Sequence, residues 1–599
     1  MFDEGRNAAQ PITRVRIWYA VLICIMALFL VRLFYLQVIR YEHYKNSALS
    51  DQLKQYEIPS SRGRILAHSG PGNDGSSAGA IPIVLNQKLY LVYADPLYIK
   101  DAAKVASDVA RITGGNASDY QKTLDAAMRV KGNRYAILVK KVSEDQKQKI
   151  VALKYPGLGT QQQEYRTYPQ GAMAAQLLGF VNDAGKGSYG IEEALDTQLK
   201  GTPGELKAIT DVHGVPLAAS TGNTLKPAQS GKDVVLTVDL PMQKRLEQIL
   251  ADAAKTTKSE SASAVIMDPN TGAIKAMANV PTYDPAKYYE VEDGSVFNNA
   301  AVSHPIEVGS SMKALTTAAA LDDGVVTPAT TYYDPSHWKV DGFNITNIEE
   351  DGGAGNRTIA DILNLSLNTG AIWELMQMGG GGSINHKGRS VWYDYMVNHY
   401  GFGKPTGIEQ GYEASGYVPG PDDNGAGIDL TYANTSFGQA MTATPVQMAA
   451  AMSAVVNGGT YYQPRLVDAT VDASGKTTAE APKVVRHGVV STKVSQEIVP
   501  ILQYVIDKHN VTPAFDQSRY SVGGKTGTAQ IAKTGGGYLD NDFNGTYLGF
   551  VGGDTPQYVI AVFMTKPKNG GYAGTAAAQP VFVNIGHMLI NNSYVKAKN

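Results

Sequence analysis

Cysteine is almost absent: Cys24 is the only one in 599 residues, and it falls inside an apolar run, so neither an intrachain disulfide nor a cysteine-based metal site is expected. The ten histidines show no H-E-x-x-H or comparable ligand spacing, and no metal or other cofactor is expected. Long runs of one charge are missing as well. With 53 Lys and Arg against 55 Asp and Glu the formal net charge is −2, and nothing clusters into the basic footprint that a nucleic-acid partner needs. Charged residues make up 18% of a chain that is 43% hydrophobic, the composition of a folded protein with several domains. No internal repeat is found.

One long apolar run stands near the N-terminus. Ile17 to Val31 carries no charge, and after Arg32 the pattern resumes as LFYLQVI, ending at Ile39. A helix over 17–39 is roughly 34 Å long at ~1.5 Å per residue, enough to span a bilayer, whereas its uncharged part alone is not. Arg32 must then snorkel or face a partner inside the membrane. No small-x-small cleavage site follows, which favours a retained anchor over a removed signal peptide. Arg6, Arg14 and Arg16 before the run, against Arg40 and Lys45 after it, give a weak positive-inside bias. The expected topology is a short cytoplasmic tail (1–16), a single-pass anchor (17–39) and an extracytoplasmic remainder.

Past the anchor, SRGRIL leads into the Gly/Ser/Pro-rich stretch SGPGNDGSSAGA, which reads as a loop, and KLYLVYADP alternates as a strand does. Val105, Val109 and Ile112, then Leu124, Ala127 and Met128, recur at helical spacing. Nothing between 50 and 230 gathers a nucleophile with a base, and its charged pairs read as solvated faces. Residues 40–230 are therefore expected to form an elongated pedestal or docking module. A Pro/Gly/Ser turn near Gly231 opens the larger part, 231–592, with a short tail at 593–599. There SASAVIMDPNTGAIKAMANV reads as a hairpin, 357–377 and 444–457 as helical, and YSVGGKTGTAQIA, GTYLGFVG and YVIAVFMTK as successive strands. The expected fold class is α+β, an antiparallel sheet flanked by helices.

The chemistry concentrates in three places. VGSSMKALTTAAALDDG puts Ser310 and Lys313 three apart at a helix start, on one face, where an amine can take a hydroxyl proton. Alone this is weak, since Ser336/Lys339 and Ser593/Lys596 match by chance. In order along the chain, however, Ser366-Leu367-Asn368 and Lys525-Thr526-Gly527-Thr528 follow, completing the set S-x-x-K, S-x-N, K-T-G. The competing copies, Ser383/Asn385 and Lys533, sit beside glycine runs that fix no geometry.

With these motifs in order the chain resembles the class B penicillin-binding proteins, the peptidoglycan transpeptidases. The resemblance extends to RLFYLQV, SRGRI, RTYPQGAMAAQLLGFV, GIEEALDTQLKG, GFGKPTGIE and SFGQAMTATPVQMAAAMSAVVNGG, and so to nearly the whole chain. It implies a pedestal or dimerisation-like domain, and a transpeptidase domain of the kind shared with serine β-lactamases. Departures are Val308 and Ala314 where the family commonly has Pro, Leu367 where Ser is frequent, and ILAHSG without the usual Asp-Arg.

The resemblance implies a stem peptide ending in D-Ala-D-Ala, β-lactam antibiotics as ligands, and roles for each residue. Ser310 is the expected nucleophile and Lys313 its base, which must be neutral to accept a proton and so needs its pKa brought down by roughly 3, or ~4 kcal/mol. Lys525 is the expected second cation, Ser366 the relay to the leaving amine, and Asn368 the holder of Lys313 and the substrate amide. Thr526 and Thr528 are expected at the substrate carboxylate, and Gly527 is expected to let the backbone approach the substrate. By resemblance the N–H groups of Ser310 and Thr528 form the oxyanion hole. A SEDS-type glycan polymerase and other cell-wall synthesis proteins are the implied partners, with Arg32 a candidate contact. A D,D-carboxypeptidase or related β-lactam hydrolase, and a catalytically idle membrane scaffold, are the rival readings.

Overall fold

The computed structural model describes residues 14–70, 79–209, 224–347, 353–423, 427–509, 511–533, 537–568 and 571–599. The loop expected around 69–80 and the N-terminal tail fall largely outside these. The chain divides into two compact units, Met1–Ser60 with Thr202–Ser230, and Ser61–Gly201 with Gly231–Asn599.

In the first unit the expected anchor is one helix, Arg14–Phe34, continued by a wide π-turn at Tyr35–Ile39. Over Arg14–Ile39 it is long and apolar enough to cross a membrane. The Arg32 guanidinium lies 5.5 Å from the centre of the Tyr35 ring, and Arg40 lies 5.8 Å from the same ring. A second helix, Tyr41–Gln52, leads into strand Leu53–Ile58, which pairs antiparallel with Gly204–Ile209, itself paired with Thr224–Lys226.

The second unit is built on a five-stranded antiparallel sheet in the order Ile274–Val280, Ser261–Met267, Pro556–Thr565, Tyr538–Gly552, Ser521–Ala532. Both faces are covered. On Pro556–Thr565, Val559, Ala561 and Phe563 join one core while Ile560, Val562 and Met564 join the other, as period-two alternation demands of a central strand. Helices Leu240–Thr257 and Gln579–Asn591 cover one face through Leu246, Leu250, Phe582 and Ile585, and helices Pro445–Val456 and Lys313–Asp322 pack into the other core. Each fully buried Leu, Ile or Phe contributes about 1.5–3 kcal/mol. Thr444 caps its helix in a capping box with Gln447, fixing the start expected from the sequence.

A second sheet crosses the Gly231 turn. Strand Asp233–Asp239 runs parallel to Ile65–His68 and antiparallel to Val467–Val471, and Ile65–His68 pairs with the long strand Ile81–Ala94. Helices Ala102–Thr113 and Ala117–Arg129 are where periodicity places them, separated by the left-handed Gly114.

The charged residues of this region do not form only solvated faces. Glu192 is fully buried and accepts from Arg62 Nε at 2.7 Å and Arg166 Nε at 2.7 Å. Arg62 also reaches Asp196 Oδ1 at 2.7 Å, and Arg166 reaches Asn86 Oδ1 at 2.7 Å. Two guanidiniums thus share one buried carboxylate, and these charge-assisted bonds offset part of the desolvation of the three charges, although Arg166 Nη2 is buried without a partner among the described residues.

Candidate active site

Ser310 lies in a single 3₁₀ turn, Gly309–Met312, that runs straight into helix Lys313–Asp322. The turn is seated on the edge strand Ser521–Ala532. Gly309 has φ +59, and a Cβ there would stand 2.5 Å from the Thr528 carbonyl oxygen. A Cβ on Gly527 would stand 2.4 Å from Val308 O and 2.3 Å from Thr546 Oγ1. The glycine of K-T-G therefore admits the Ser310 turn itself, a packing reason beyond the substrate approach expected from the sequence. Thr546 Oγ1 donates to Val308 O at 2.6 Å, and Ser311 Oγ to the same oxygen at 2.9 Å, so this backbone is held from two sides.

Residues 357–377 are not one helix. Helix Ile359–Asn364 ends, Ser366 takes φ +57, and a new helix runs Asn368–Met378. The apolar pattern hides the break. Left-handed backbone at a non-glycine residue costs of order 1–2 kcal/mol, and here it turns both Ser366 O and Ser366 Oγ toward Lys313. Lys313 Nζ donates to Ser366 O, to Ser366 Oγ at 3.3 Å and to Asn368 Oδ1 at 2.8 Å. Asn368 is itself fixed by its amide, which donates to Thr346 O at 3.0 Å.

Lys525 comes from the edge strand. Its Nζ donates to Ser366 Oγ at 3.0 Å, to Thr526 O at 3.1 Å and to Thr526 Oγ1 at 3.3 Å. Both lysines are essentially fully buried, so three chain segments far apart in sequence converge on one hydroxyl. Thr526 and Thr528, two residues apart, share a face of the strand and are half-buried. Thr528 Oγ1 accepts from Gly574 N at 2.9 Å, which leaves its own proton to donate. Among the described residues this strand pairs on one side only, with Tyr538–Gly552, so its other edge offers backbone groups to an extended peptide.

The competing copies are engaged elsewhere. Asn385 caps helix His386–Asp394 through Gly388 N at 3.0 Å, and Lys533 stands 3.7 Å from Asp540. Ser336 sits in the turn before a short strand, His337–Val340.

Four residues around the site were not singled out by sequence reasoning. The Phe437 ring lies 5.9 Å from Lys313 Nζ, its only sequence signal being the SFGQ motif. Glu307, three residues before Ser310, accepts from Ala440 N at 2.9 Å and Tyr538 OH at 3.2 Å, and burial pushes its carboxyl up despite those bonds. His509 donates Nε2–H to Asn364 O at 2.8 Å, and its pKa is lowered by burial, with Lys525 adding to the effect. Glu374 is fully buried on the Asn368 helix.

The penicillin-binding protein transpeptidase domain matches residues 262–587, and the penicillin-binding protein dimerisation domain matches 57–236. Stage V sporulation protein D of Bacillus subtilis is 30% identical over 92% of this chain and 82% of its own. Penicillin-binding protein PbpB of Mycobacterium tuberculosis is 28% identical over 99% of this chain and 87% of its own. Peptidoglycan D,D-transpeptidase FtsI of Escherichia coli is 25% identical over 94% and 90%. Among solved structures, penicillin-binding protein 2X of Streptococcus thermophilus superposes with a TM-score of 0.68 at 22% identity, covering 91% of this chain and 81% of that one. Penicillin-binding protein 3 of Mycobacterium tuberculosis, complexed with aztreonam, gives 0.65 at 24% identity, covering 90% and 98%.

Proposed function

The chain belongs to the penicillin-binding protein transpeptidases, enzymes of peptidoglycan synthesis, and from that premise we propose that it cross-links stem peptides through an acyl-enzyme on Ser310. The observation that carries this is Ser366 Oγ, which accepts from both Lys313 and Lys525. A hydroxyl oxygen whose acceptor positions are filled by two lysine amines has its O–H left to give away.

Ser310 Oγ attacks the penultimate D-Ala carbonyl carbon, and its proton passes to Lys313 Nζ as the C–O bond forms. Lys313 donates to three acceptors, and a neutral amine has two N–H groups and one lone pair. Giving up the 3.3 Å bond to Ser366 Oγ therefore turns that lone pair toward an incoming proton. The proton then moves through Ser366 to the nitrogen of the departing D-Ala as the C–N bond breaks. An acceptor amine from a neighbouring stem peptide attacks the ester, the proton path runs in reverse, and Ser310 is restored.

Lys525 stabilises the path as a fixed second cation and attracts the peptide's terminal carboxylate, with Thr526 and Thr528 as hydroxyl donors to it. The N–H groups of Ser310 and Thr528 are the oxyanion donors of this reading, and losing one such donor costs ~10²-fold or more. β-Lactams present a strained amide to the same serine, which makes them its covalent inhibitors. The apolar helix sets the catalytic unit on the outer side of the cytoplasmic membrane with a short tail inside. A SEDS-type polymerase supplies the glycan strands, gripped in part through Arg32.

Covalent labelling of the full chain in detergent with a fluorescent penicillin, read by intact mass, tests the nucleophile. A stable adduct in wild type and in Ser336→Ala, absent in Ser310→Ala, is expected. An adduct that persists in Ser310→Ala overturns the reading.

A further inference from the structure

Glu374 has no part in the reaction described above, yet it is one of the most enclosed acidic groups in the protein, with no exposed surface. It lies on helix Asn368–Met378, the helix that begins with the residue holding Lys313. Its Oε2 accepts from Thr317 Oγ1 at 3.1 Å, and Thr317 stands one turn beyond Lys313 on the nucleophile helix. Among the described residues its other oxygen, Oε1, has no hydrogen-bond partner. A buried carboxylate with an unsatisfied oxygen is costly, whereas a carboxylic acid is much less so. Burial pushes the Glu374 pKa up to about 8, with Thr317 and Lys313 pulling against it. Glu374 also acts on Tyr332, which is surrounded in turn by Asp334, Arg357 and Asp361.

We propose that Glu374 is a positioning residue that sets the proton affinity of Lys313 across the wall shared by the two helices. As a neutral acid it places no charge beside the base, and Lys313 can give up its proton. Once ionised it is a buried anion facing a buried amine, and it holds the proton on Lys313 where the amine can no longer accept one from Ser310. Glu374 thus acts as a brake on acylation at alkaline pH. No bond to substrate is involved, and the effect falls on the base alone.

The inference rests on Lys313 being the base, and the experiment separates the two. The rate of acylation of the full chain by a fluorescent penicillin is measured against pH for wild type, Glu374→Gln, Thr317→Val and Lys313→Met. Lys313→Met should lose acylation at every pH; retention there overturns the base and the brake with it, whereas loss there with unshifted Glu374→Gln and Thr317→Val profiles overturns the brake alone. Glu374→Gln removes the charge while keeping shape, and the midpoint of its rising limb should fall by on the order of one pH unit. Thr317→Val removes the hydroxyl that favours the ionised form, so its midpoint should move the same way by less. A profile superimposable on wild type in both variants overturns the proposal. Should Glu374→Gln fail to fold, the Thr317→Val profile decides alone.

Discussion

Lys525 Nζ lies 3.0 Å from Ser366 Oγ although the two residues stand 159 positions apart in the chain. That contact makes Ser366 the junction of the site, since Lys313 reaches the same oxygen. Ser366→Ala keeps both lysines and the carbonyl that Lys313 holds, and removes only the hydroxyl proposed to shuttle the proton. Acylation by penicillin should fall about 10²-fold or more, with the melting temperature nearly unchanged. An unchanged rate would mean that the proton takes another path.

Gly309→Ala tests the seating of the turn that carries Ser310. A methyl group there meets the Thr528 carbonyl at 2.5 Å with φ at +59, so the turn must lift from the strand or the strand must bend. The expected cost is about 1–3 kcal/mol of stability, together with loss of most acylation, read by thermal melting and by labelling in parallel. Labelling at the wild-type rate would show that the turn and strand do not need this close fit.

How far the sequence speaks can be judged residue by residue. Ser310 and Lys313 are legible because three positions on a helix are neighbours whatever surrounds them. The K-T-G strand is legible because its neighbours alternate as strands do. The bend at Ser366 is not, because its left-handed backbone is sustained by Lys313, a residue 53 positions away, while the local pattern continues as helix. Glu374 reads as a polar residue on a helix, since only the helix packed against it decides whether that face meets water. Arg62, Arg166 and Glu192 sit in recognisable segments, yet the contact from Arg62 to Glu192 spans 130 positions, and nothing local marks those charges as buried.

That buried cluster makes its own prediction. Glu192→Gln leaves the Arg62 and Arg166 guanidiniums, 10% and 5% exposed, without their shared counter-charge. Removing one partner of a buried pair costs about 3–5 kcal/mol, so the urea midpoint should drop well below that of wild type. Lys122→Ala, which removes a partner of the exposed Asp119, should leave the midpoint where it is. Equal midpoints for the two variants would show that the cluster contributes nothing.

Arg32 interrupts an otherwise apolar helix and lies over the Tyr35 ring. Simple snorkelling needs only an aliphatic stem and a charged tip. A contact with a multi-spanning polymerase would need the guanidinium itself. Arg32→Leu should therefore weaken co-purification with the polymerase while Arg32→Lys, which also snorkels, fails to restore it. Complex formation unchanged in Arg32→Leu would reduce Arg32 to a membrane-interface residue.

Glu374 also predicts how stability depends on pH. Its folded pKa, about 8, lies above the 4.5 of an ordinary glutamate because burial disfavours the anion. Between those two values the folded protein holds a proton that the unfolded chain has released. Stability from this group is thus fully present below pH 4.5 and is lost as the pH rises toward 8, with a total change on the order of 5 kcal/mol. Glu374→Gln has no such proton to lose. The stability difference between variant and wild type should shift in favour of the variant by several kcal/mol from pH 5 to pH 8, measured by urea unfolding at each pH. A difference that stays flat across that window would mean that Glu374 is charged in the folded protein, and the brake on Lys313 would then be set at all working pH values.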